Sequence, residues 1–187
     1  MVYVLGFLAI LVLAALYGVA IYNGLVRSRN MVEEAFSGMD VQLKKRSDLI
    51  PNLVETVKGY AAHEREVLDA VTQWRAHAQQ AQQHHSREAQ AASEGMLGQA
   101  LGRLFAVAEN YPQLKADANF RELQTALAQV EDDLQNARRY YNGAVRNLNI
   151  KVQSFPSNLV AGMFGFARGT FFELEDPADR ATPRVRF

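Results

Sequence analysis

The residues best suited to metal chemistry are four histidines, all within stretches of helical spacing. His63 to Val67 reads HEREV and begins like a zinc-protease motif, but Val67 stands where a second histidine would have to bind the metal one helical turn on. Di-iron bundles use Glu-x-x-His on two helices, and no glutamate lies three residues before any of these histidines. His77, His84 and His85 lie in a polar stretch and are more simply interpreted as a solvated patch than as a metal site.

Other catalytic patterns are missing from the sequence. It holds no Gly-x-x-x-x-Gly-Lys-Ser/Thr loop, no Gly-x-Gly-x-x-Gly and no nucleophile elbow. The absence of cysteine excludes disulfides, thiol catalysis and thiolate metal sites. The sequence therefore predicts a protein that is not an enzyme, with no cofactor and no small-molecule substrate.

A nine-residue pattern that occurs twice offers binding chemistry instead. Tyr22 to Asn30 reads YNGLVRSRN, and Tyr141 to Asn149 reads YNGAVRNLN. Asn, Arg and Asn at i, i+4 and i+7 share one helix face, so each copy can hydrogen-bond the other copy, a subunit or lipid phosphates. A polar seam that fixes helix register is the simpler interpretation. The six polar residues are Asn23, Arg27, Asn30, Asn142, Arg146 and Asn149.

The first copy follows an apolar run from Val2 to Tyr22 that has no charged side chain. As a helix this run spans roughly 30 Å, the thickness of a bilayer's hydrocarbon core, so residues 1–22 are predicted to be a transmembrane anchor. A cleaved signal peptide is the alternative, because Gly18-Val19-Ala20 resembles a cleavage site. The anchor is favoured because no Lys or Arg precedes the run and because it exceeds the roughly 7–15 residues of a signal core.

Charges after this run predict its orientation and one class of partner. Basic residues at 27, 29 and 44–46 follow the run and none precedes it, so the positive-inside rule places the N-terminus outside and the following domain in the cytoplasm. The domain on the periplasmic side is the alternative. All 20 basic and all 20 acidic residues lie beyond the run, and this balance makes nucleic acid an unfavourable partner.

Apolar residues recur at helical spacing through the remaining residues, without strand-like alternation. Four helices are predicted: the first continues from the anchor past Val57, two shorter ones cover Tyr60 to Gln83 and Ser93 to Tyr111, and a long one begins at Phe120. Short connections make neighbours antiparallel, so the predicted fold is all-α, with the transmembrane helix continuing into an antiparallel up-down four-helix bundle over residues 23–158.

Two stretches of the bundle are less regular. At Pro51 either a fresh helix begins, capped by Ser47 or Asp48, or one helix continues with a kink. Residues Gln79 to Gln90 are rich in Gln and His and poor in large apolar side chains, which predicts a solvated helix end and connector.

The up-down topology returns both repeats and an apolar tail, residues 159–173, to the membrane-proximal end. The tail contains Phe164, Phe166, Phe171 and Phe172, and its glycines argue against a helix of its own. Three fates are predicted for it: plugging the open end of the bundle, entering the membrane interface, or docking on a neighbouring subunit. Residues 174–187 are predicted to be disordered.

Several blocks together carry a family resemblance, and the most specific is Asp-Leu-Ile-Pro-Asn-Leu at residues 48–53. The full set of blocks is Tyr22–Asn30, Asp40–Val54, Val57–Glu64, Tyr111–Ala116, Phe155–Leu159, Phe164–Phe166 and Phe171–Glu173. With these blocks the chain resembles the LemA family of bacterial membrane proteins from the anchor to Glu173. The connector at Gln79 to Gln90 matches no pattern of that family.

The resemblance implies one span in the bacterial inner membrane, a long-helix bundle inside and no established enzymatic activity. It also links the family to a heat-shock membrane metalloprotease and, through relatives, to magnetosome membrane biogenesis. Together with the anchor and the apolar tail, it favours a structural protein that contacts membrane lipids, forms a homo-oligomeric scaffold with coiled-coil-like packing, and organises or shapes the inner membrane. The alternative is a monomeric adaptor or regulator of a membrane enzyme such as that protease.

Overall fold

A computed structural model describes residues 1–84 and 86–173 of the chain. All regular structure in these two ranges is helical, and the predicted all-α class is confirmed. The helices are α1 (Val2–Tyr60), α2 (Arg65–Gln83), α3 (Arg87–Ala108), α4 (Pro112–Ala116), α5 (Ala118–Gln153) and α6 (Ser157–Met163). His85 and the segment 174–187, predicted to be disordered, lie outside the described residues.

Helix α1 joins the apolar run to the first predicted helix of the bundle in one element of 59 residues. It is the one helix in the described residues that is long and apolar enough to cross a membrane. Its apolar window is fully exposed in the structure, so no protein core accounts for the apolar side chains from Val2 to Tyr17.

Helix α1 runs through Pro51 without a break. Because proline has no N–H, the carbonyl of Ser47 lacks its usual i+4 donor. Arg75 of α2 supplies the replacement, with Nε donating to that carbonyl at 2.8 Å. Gln79 adds a bond from its amide to the Ser47 hydroxyl at 3.1 Å. The continuous helix is therefore the correct alternative at Pro51, and a neighbouring helix satisfies the group that proline leaves unpaired.

Two predicted helix boundaries were wrong. The second helix begins at Arg65, because Tyr60 still belongs to α1 and a short turn follows it. The third helix begins at Arg87, where Ser86 caps it by accepting a hydrogen bond from the N–H of Ala89 at 3.3 Å. Serine before a first turn satisfies an amide that has no partner within the helix.

The stretch from Gln79 to Gln90 contains the end of α2 and the connection to α3, as predicted, but it is only partly solvated, because Ala81 and Gln90 are buried. Gln82 and Gln90 each donate a side-chain amide to Oδ1 of Asp40, at 2.8 and 3.1 Å. Gln90 is only 2% exposed. A polar side chain with such a partner can be buried at modest cost, which hydrophobic patterning does not anticipate.

The described residues divide into two compact units, and α1 and α5 each contribute to both. The first unit comprises residues 1–39 and 137–171. The second comprises 40–136 together with Phe172 and Glu173.

The second unit contains an apolar core to which α1, α2, α3, α4 and α5 all contribute. Its buried residues follow the helical spacing expected from the sequence in α1, α2, α3 and α5. Representative members are Ile50, Leu53, Val57, Leu68, Val71, Leu97, Leu104, Leu114, Phe120 and Leu127.

The first unit has a smaller core built from α1, α5 and α6. Buried residues are Leu25, Val32 and Met39 on α1, and Val145 and Leu148 on α5. Phe36 packs edge-on against the fully buried ring of Tyr141, with ring centroids 5.7 Å apart. Ala161 of α6 is buried as well.

Helix α6 shows that the expectation of no helix in the tail was wrong. It includes Leu159 to Met163, and Gly165 ends it with a φ of +70°. The N–H of Phe166 then donates to the carbonyl of Ala161 at 2.9 Å, as in a Schellman motif. The glycine that weakens helix propensity here provides the left-handed residue that terminates the helix.

Candidate functional site

The aromatic residues that follow α6 pack against the first repeat. The ring of Tyr22 lies edge-on to Phe164 and Phe166, with ring centroids 4.8 and 5.7 Å apart. The guanidinium of Arg29 lies over the Phe166 ring, 5.3 Å from its centroid. Both contacts are of a kind that favours aromatic over aliphatic side chains.

The second repeat holds the backbone of the tail. The side-chain amide of Asn149 donates to the Gly169 carbonyl at 3.1 Å and accepts from the Gly169 N–H at 2.8 Å. The hydroxyl of Tyr141 donates to the Thr170 carbonyl at 2.8 Å. A Cβ at Gly169 would lie 3.4 Å from Val145, so the tail backbone passes close to α5. Buried polar atoms of this repeat therefore fix the path of the tail.

Lys151, just beyond the second repeat, links α5 to the first repeat. Its Nζ donates to the carbonyl of Gly24 at 3.2 Å and to the hydroxyl of Ser28 at 2.7 Å. Ser28 in turn donates to the Gly24 carbonyl at 3.1 Å. Lys151 was not among the predicted site residues, because it stands outside the repeated pattern.

The six predicted polar residues have different environments. Asn149 is 6% exposed and forms a hydrogen bond to the backbone of the tail. Asn142 is half-buried, whereas the other four are exposed. Within the described residues, no side-chain hydrogen bond or ion pair involves Asn23, Arg27, Asn30 or Arg146. The proposed contact of these exposed residues with lipid or a subunit stays a prediction.

The four predicted phenylalanines divide in the same way. Phe166 is half-buried and Phe172 is 1% exposed, while Phe164 and Phe171 are 59% and 38% exposed. The tail thus buries two of these phenylalanines in part or in full and still presents aromatic surface.

Three further apolar residues at or before α6 were not among the predicted site residues, although Leu159 and Met163 belong to the predicted apolar tail. Phe155, Leu159 and Met163 are 80%, 59% and 79% exposed. Leu159 and Met163 are four residues apart on α6 and share one helix face, whereas Phe155 precedes the helix.

The first unit is also strongly basic. It holds seven Lys and Arg against two Glu, a formal charge of +5, and its part beyond residue 136 has no acidic residue. The whole-chain balance of zero concealed this local excess.

No group of three or more potential metal ligands of the His, Cys, Asp and Glu type occurs in the part of the chain that the structure describes. The sequence prediction that the protein is not an enzyme stays a prediction.

Comparison with known proteins places the chain in a family. The profile of the LemA family matches residues 35–187, most of the chain. This chain belongs to the LemA family. The resemblance noted from the blocks around Pro51 and the tail is confirmed.

Relatives with this LemA-family sequence include two magnetosome proteins. Magnetosome protein MamQ 2 of Paramagnetospirillum magneticum is 27% identical over 180 residues, covering 84% of this chain and 66% of the relative. Magnetosome protein MamQ of Magnetospirillum gryphiswaldense is 24% identical, covering 88% of this chain and 70% of the relative.

A third relative carries the family name itself. Protein LemA of Metamycoplasma hominis is 27% identical over 139 residues, covering 74% of this chain and 63% of the relative. The chain spans about two thirds of the length of these relatives. Family membership and the apolar N-terminal helix together indicate a membrane-associated, single-pass protein.

The LemA-family block around Pro51 has a structural role in the second unit. Arg46 is 3% exposed, and its two terminal nitrogens bind Glu94 and, at 2.8 Å, Glu131. Arg46 also donates to the backbone carbonyl of Glu94 at 3.0 Å. Arg46 was counted among the charges that set membrane orientation, yet its charge is used inside the protein.

Proposed function

We propose that this protein is a non-enzymatic, membrane-anchored structural protein that self-assembles and organises or shapes the inner membrane. The observation that carries the proposal is the exposed polar face of Asn23, Arg27 and Asn30, directly after the apolar segment of α1. The names of the magnetosome relatives, and the membrane association they suggest, support it.

Anchoring favours assembly through this face. Copies inserted in one membrane share the same orientation and depth, so equal positions on α1 meet at equal heights. Asparagine carries both a donor and an acceptor, so Asn23 and Asn30 can pair with the same residues of a second copy. Paired asparagines between parallel helices are known to fix register and to limit the number of strands.

The test is the mass of the full chain, purified in mild detergent at micromolar concentration. We expect a multiple of the 20.9 kDa chain mass. The double variant Asn23→Ala, Asn30→Ala should shift the population to the monomer, whereas Lys45→Ala, also exposed on α1, should not. A strictly monomeric particle would contradict the proposal.

The adaptor alternative has one structural observation in its favour. A groove of about 470 Å³ in the second unit is lined by residues that include Gly98, Leu101, Gly102, Phe105 and Leu127. An apolar groove beside glycines can admit a helix of a partner. Crosslinking in cells separates the two functions: the adaptor predicts a dominant product with another protein, weakened by Arg27→Ala or Arg146→Ala.

For the bundle we infer antiparallel packing of neighbouring helices. Within the second unit, Tyr60 donates to Asp117 at 2.9 Å, while Arg46 binds Glu131, so residue numbers run in opposite directions along α1 and α5. Spin labels at residues 45 and 132 should lie about 10 Å closer than labels at 45 and 119, because 13 residues of helix span about 20 Å along an axis that lies about 10 Å from α1. Equal distances would contradict the inference.

For topology we propose an outer N-terminus and a cytoplasmic domain. Arg27 and Arg29 directly follow the apolar segment, and cytoplasmic flanks of spans are enriched in basic residues. Labelling with a membrane-impermeant maleimide on intact cells should modify Tyr3→Cys and spare Gln135→Cys. The reverse pattern would place the domain outside.

A further inference from the structure

An unusual amount of apolar surface surrounds α6. Phe155, Leu159, Met163 and Phe164 lie within ten residues and are each at least 59% exposed. Scattered single apolar residues are normal on protein surfaces, but a contiguous cluster marks a site of interaction. Ala161, on another side of the helix, is buried, so α6 is fixed to its unit by one face and exposes a different one.

The residues that lie beside α6 indicate which partner contacts this apolar surface. Residues 160, 163 and 164 line an almost wholly apolar groove of about 370 Å³ together with residues of α1 between Ala15 and Tyr22. The ring of Phe164 lies 4.8 Å from that of Tyr22. Helix α6 therefore runs beside the last two turns of the apolar segment.

Distances along α1 give the depth of this contact. From Ala15 to Tyr22 a helix rises about 10 Å, so α6 overlaps about the last 10 Å of the candidate span. Helices that lie in a membrane interface are buried about 5–10 Å into the boundary between headgroups and acyl chains. If lipid surrounds α1 at Ala15, the same leaflet reaches α6.

We propose that α6, with Phe155 and Phe164, is an interfacial membrane helix, and that its exposed apolar face inserts into the leaflet that the apolar segment of α1 crosses. The chain then contacts the bilayer twice, once by crossing it and once by lying in its surface. This second contact fixes the rotation of the first unit about α1, which a single span leaves free.

The charges around α6 favour one class of lipid headgroup. Basic residues of the first unit stand exposed on α1, on α5 and in the tail, and they include Arg27, Arg29, Arg146, Lys151 and Arg168. No acidic residue occurs at 23–32 or at 137–172. A basic side chain near an anionic membrane surface strengthens binding by about fivefold. The inserted face is therefore expected to prefer a leaflet that contains anionic phospholipid.

Because the chain has no cysteine, single positions can be labelled without further change. The full chain with Leu159→Cys or Met163→Cys, carrying an environment-sensitive fluorophore, is reconstituted in vesicles of phosphatidylcholine and phosphatidylglycerol. Lipids brominated along the acyl chain act as quenchers. Gln135→Cys, an exposed position of α5 in the second unit, is the matched control.

We expect the brominated lipids to reduce fluorescence at residues 159 and 163 about twofold or more, with little change at 135. Quenching at 159 and 163 no stronger than at 135 would overturn the proposal. Loss of lipid quenching as protein density rises, with self-quenching between labels, would also overturn it, because a second copy would then cover the face.

The lipid preference has a separate readout. Replacing phosphatidylglycerol by phosphatidylcholine should reduce quenching at residue 163. Arg146→Gln with Arg168→Gln should weaken that dependence, while Arg121→Gln, exposed on α5 in the second unit, should not. Equal quenching in both lipids would overturn the anionic preference.

This inference rests on the membrane anchoring in the proposed function and not on self-assembly. A monomer in detergent whose residues 159 and 163 are quenched by lipid would contradict self-assembly alone. An oligomer whose residues 159 and 163 are not quenched would contradict the interfacial helix alone.

Discussion

The two units of this chain use charged side chains in opposite ways. The first unit carries +5, from seven basic and two acidic residues, and most of its basic groups are exposed. Residues 40–136 of the second carry ten basic and fourteen acidic residues, a formal charge of −4, and bury Arg46 against Glu94. In the first unit Arg27, Arg146 and Arg168 are exposed and can meet an external partner, whereas this pair in the second is used within the fold.

The units also differ in how their polar contacts are made. In the second unit, side chains of different helices join at Arg46, Ser47 and Asp40, inside or beside a core of five helices. In the first unit, Asn149 and Tyr141 bind the backbone of a tail without regular structure. We therefore expect changes in the second unit to affect global unfolding, and changes in the first unit to release the tail locally.

Breaking the buried ion pair should have the largest effect. Arg46→Met leaves Glu94 buried without its charge partner, and we expect the free energy of unfolding to fall by about 3–5 kcal/mol. The single tryptophan, Trp74, lies half-buried against the core of the second unit and reports urea unfolding there. Lys45→Ala, at an exposed neighbouring position, should change stability by no more than about 0.5 kcal/mol.

A second substitution tests whether the unpaired buried charge causes this loss of stability. Arg46→Met with Glu94→Leu removes both buried charges and should recover much of the lost stability. If the double variant is as unstable as the single one, the cost lies in packing, and the buried charge does not explain it.

Removing the hydrogen bond from Arg75 to the Ser47 carbonyl should have the next largest effect on the free energy of unfolding. Arg75→Ala removes a charged donor from a buried acceptor, and we expect a loss of about 1.5–3 kcal/mol in the free energy of unfolding, again measured by urea with Trp74 fluorescence.

Pro51→Ala provides the control for this prediction. Alanine restores the backbone N–H, so Ser47 regains its helical donor and Arg75→Ala should cost less in that background. Equal costs in both backgrounds would mean that the missing N–H of proline does not explain the Arg75 contact.

Releasing the tail in the first unit should cost less. Asn149→Ala removes two hydrogen bonds to Gly169, which we expect to weaken the tail locally by about 1–2 kcal/mol. Amide hydrogen exchange of residues 166–171 should then accelerate about 5- to 30-fold, with no change in the core of the second unit. Asn147→Ala, an exposed asparagine two residues away, is the control. Acceleration in both units would contradict the division drawn between them.

Acidification should reveal the smallest effect, at the start of α5. Asp117 accepts the Phe120 N–H and the Tyr60 hydroxyl, each at 2.9 Å, and these bonds, the backbone one first, lower the pKa of Asp117 below its ordinary value of 3.8. The folded carboxyl thus binds a proton less readily than the unfolded one. Its contribution to stability is complete above that value and is lost as the pH falls through the lower folded pKa.

Asp117→Asn should remove this part of the acid dependence while keeping a side chain that can cap α5. The measurement is the midpoint of thermal unfolding at several pH values between neutral and strongly acidic. Asp132→Asn, exposed on α5, should leave the dependence as it is. An unchanged acid profile for Asp117→Asn would show that this cap does not contribute.

The sequence by itself determined the helical class, the apolar span, the family and most of the buried stripes. These follow from local periodicity and composition, because a helix must turn its apolar face inward and a span must lack charge. Val32, Leu53, Val71 and Leu134 recur at helical spacing in the sequence and are buried.

The tertiary structure decided the fate of each polar residue, because long-range partners are invisible to periodicity. Asn30 and Asn149 hold the same place in the same repeat, yet Asn30 is exposed and Asn149 is buried. The difference arises because the chain returns at Gly169, twenty residues after Asn149, and gives that side chain two backbone partners. Arg46 and Arg27 differ for the same reason: burial of a charge depends on a partner brought by another helix.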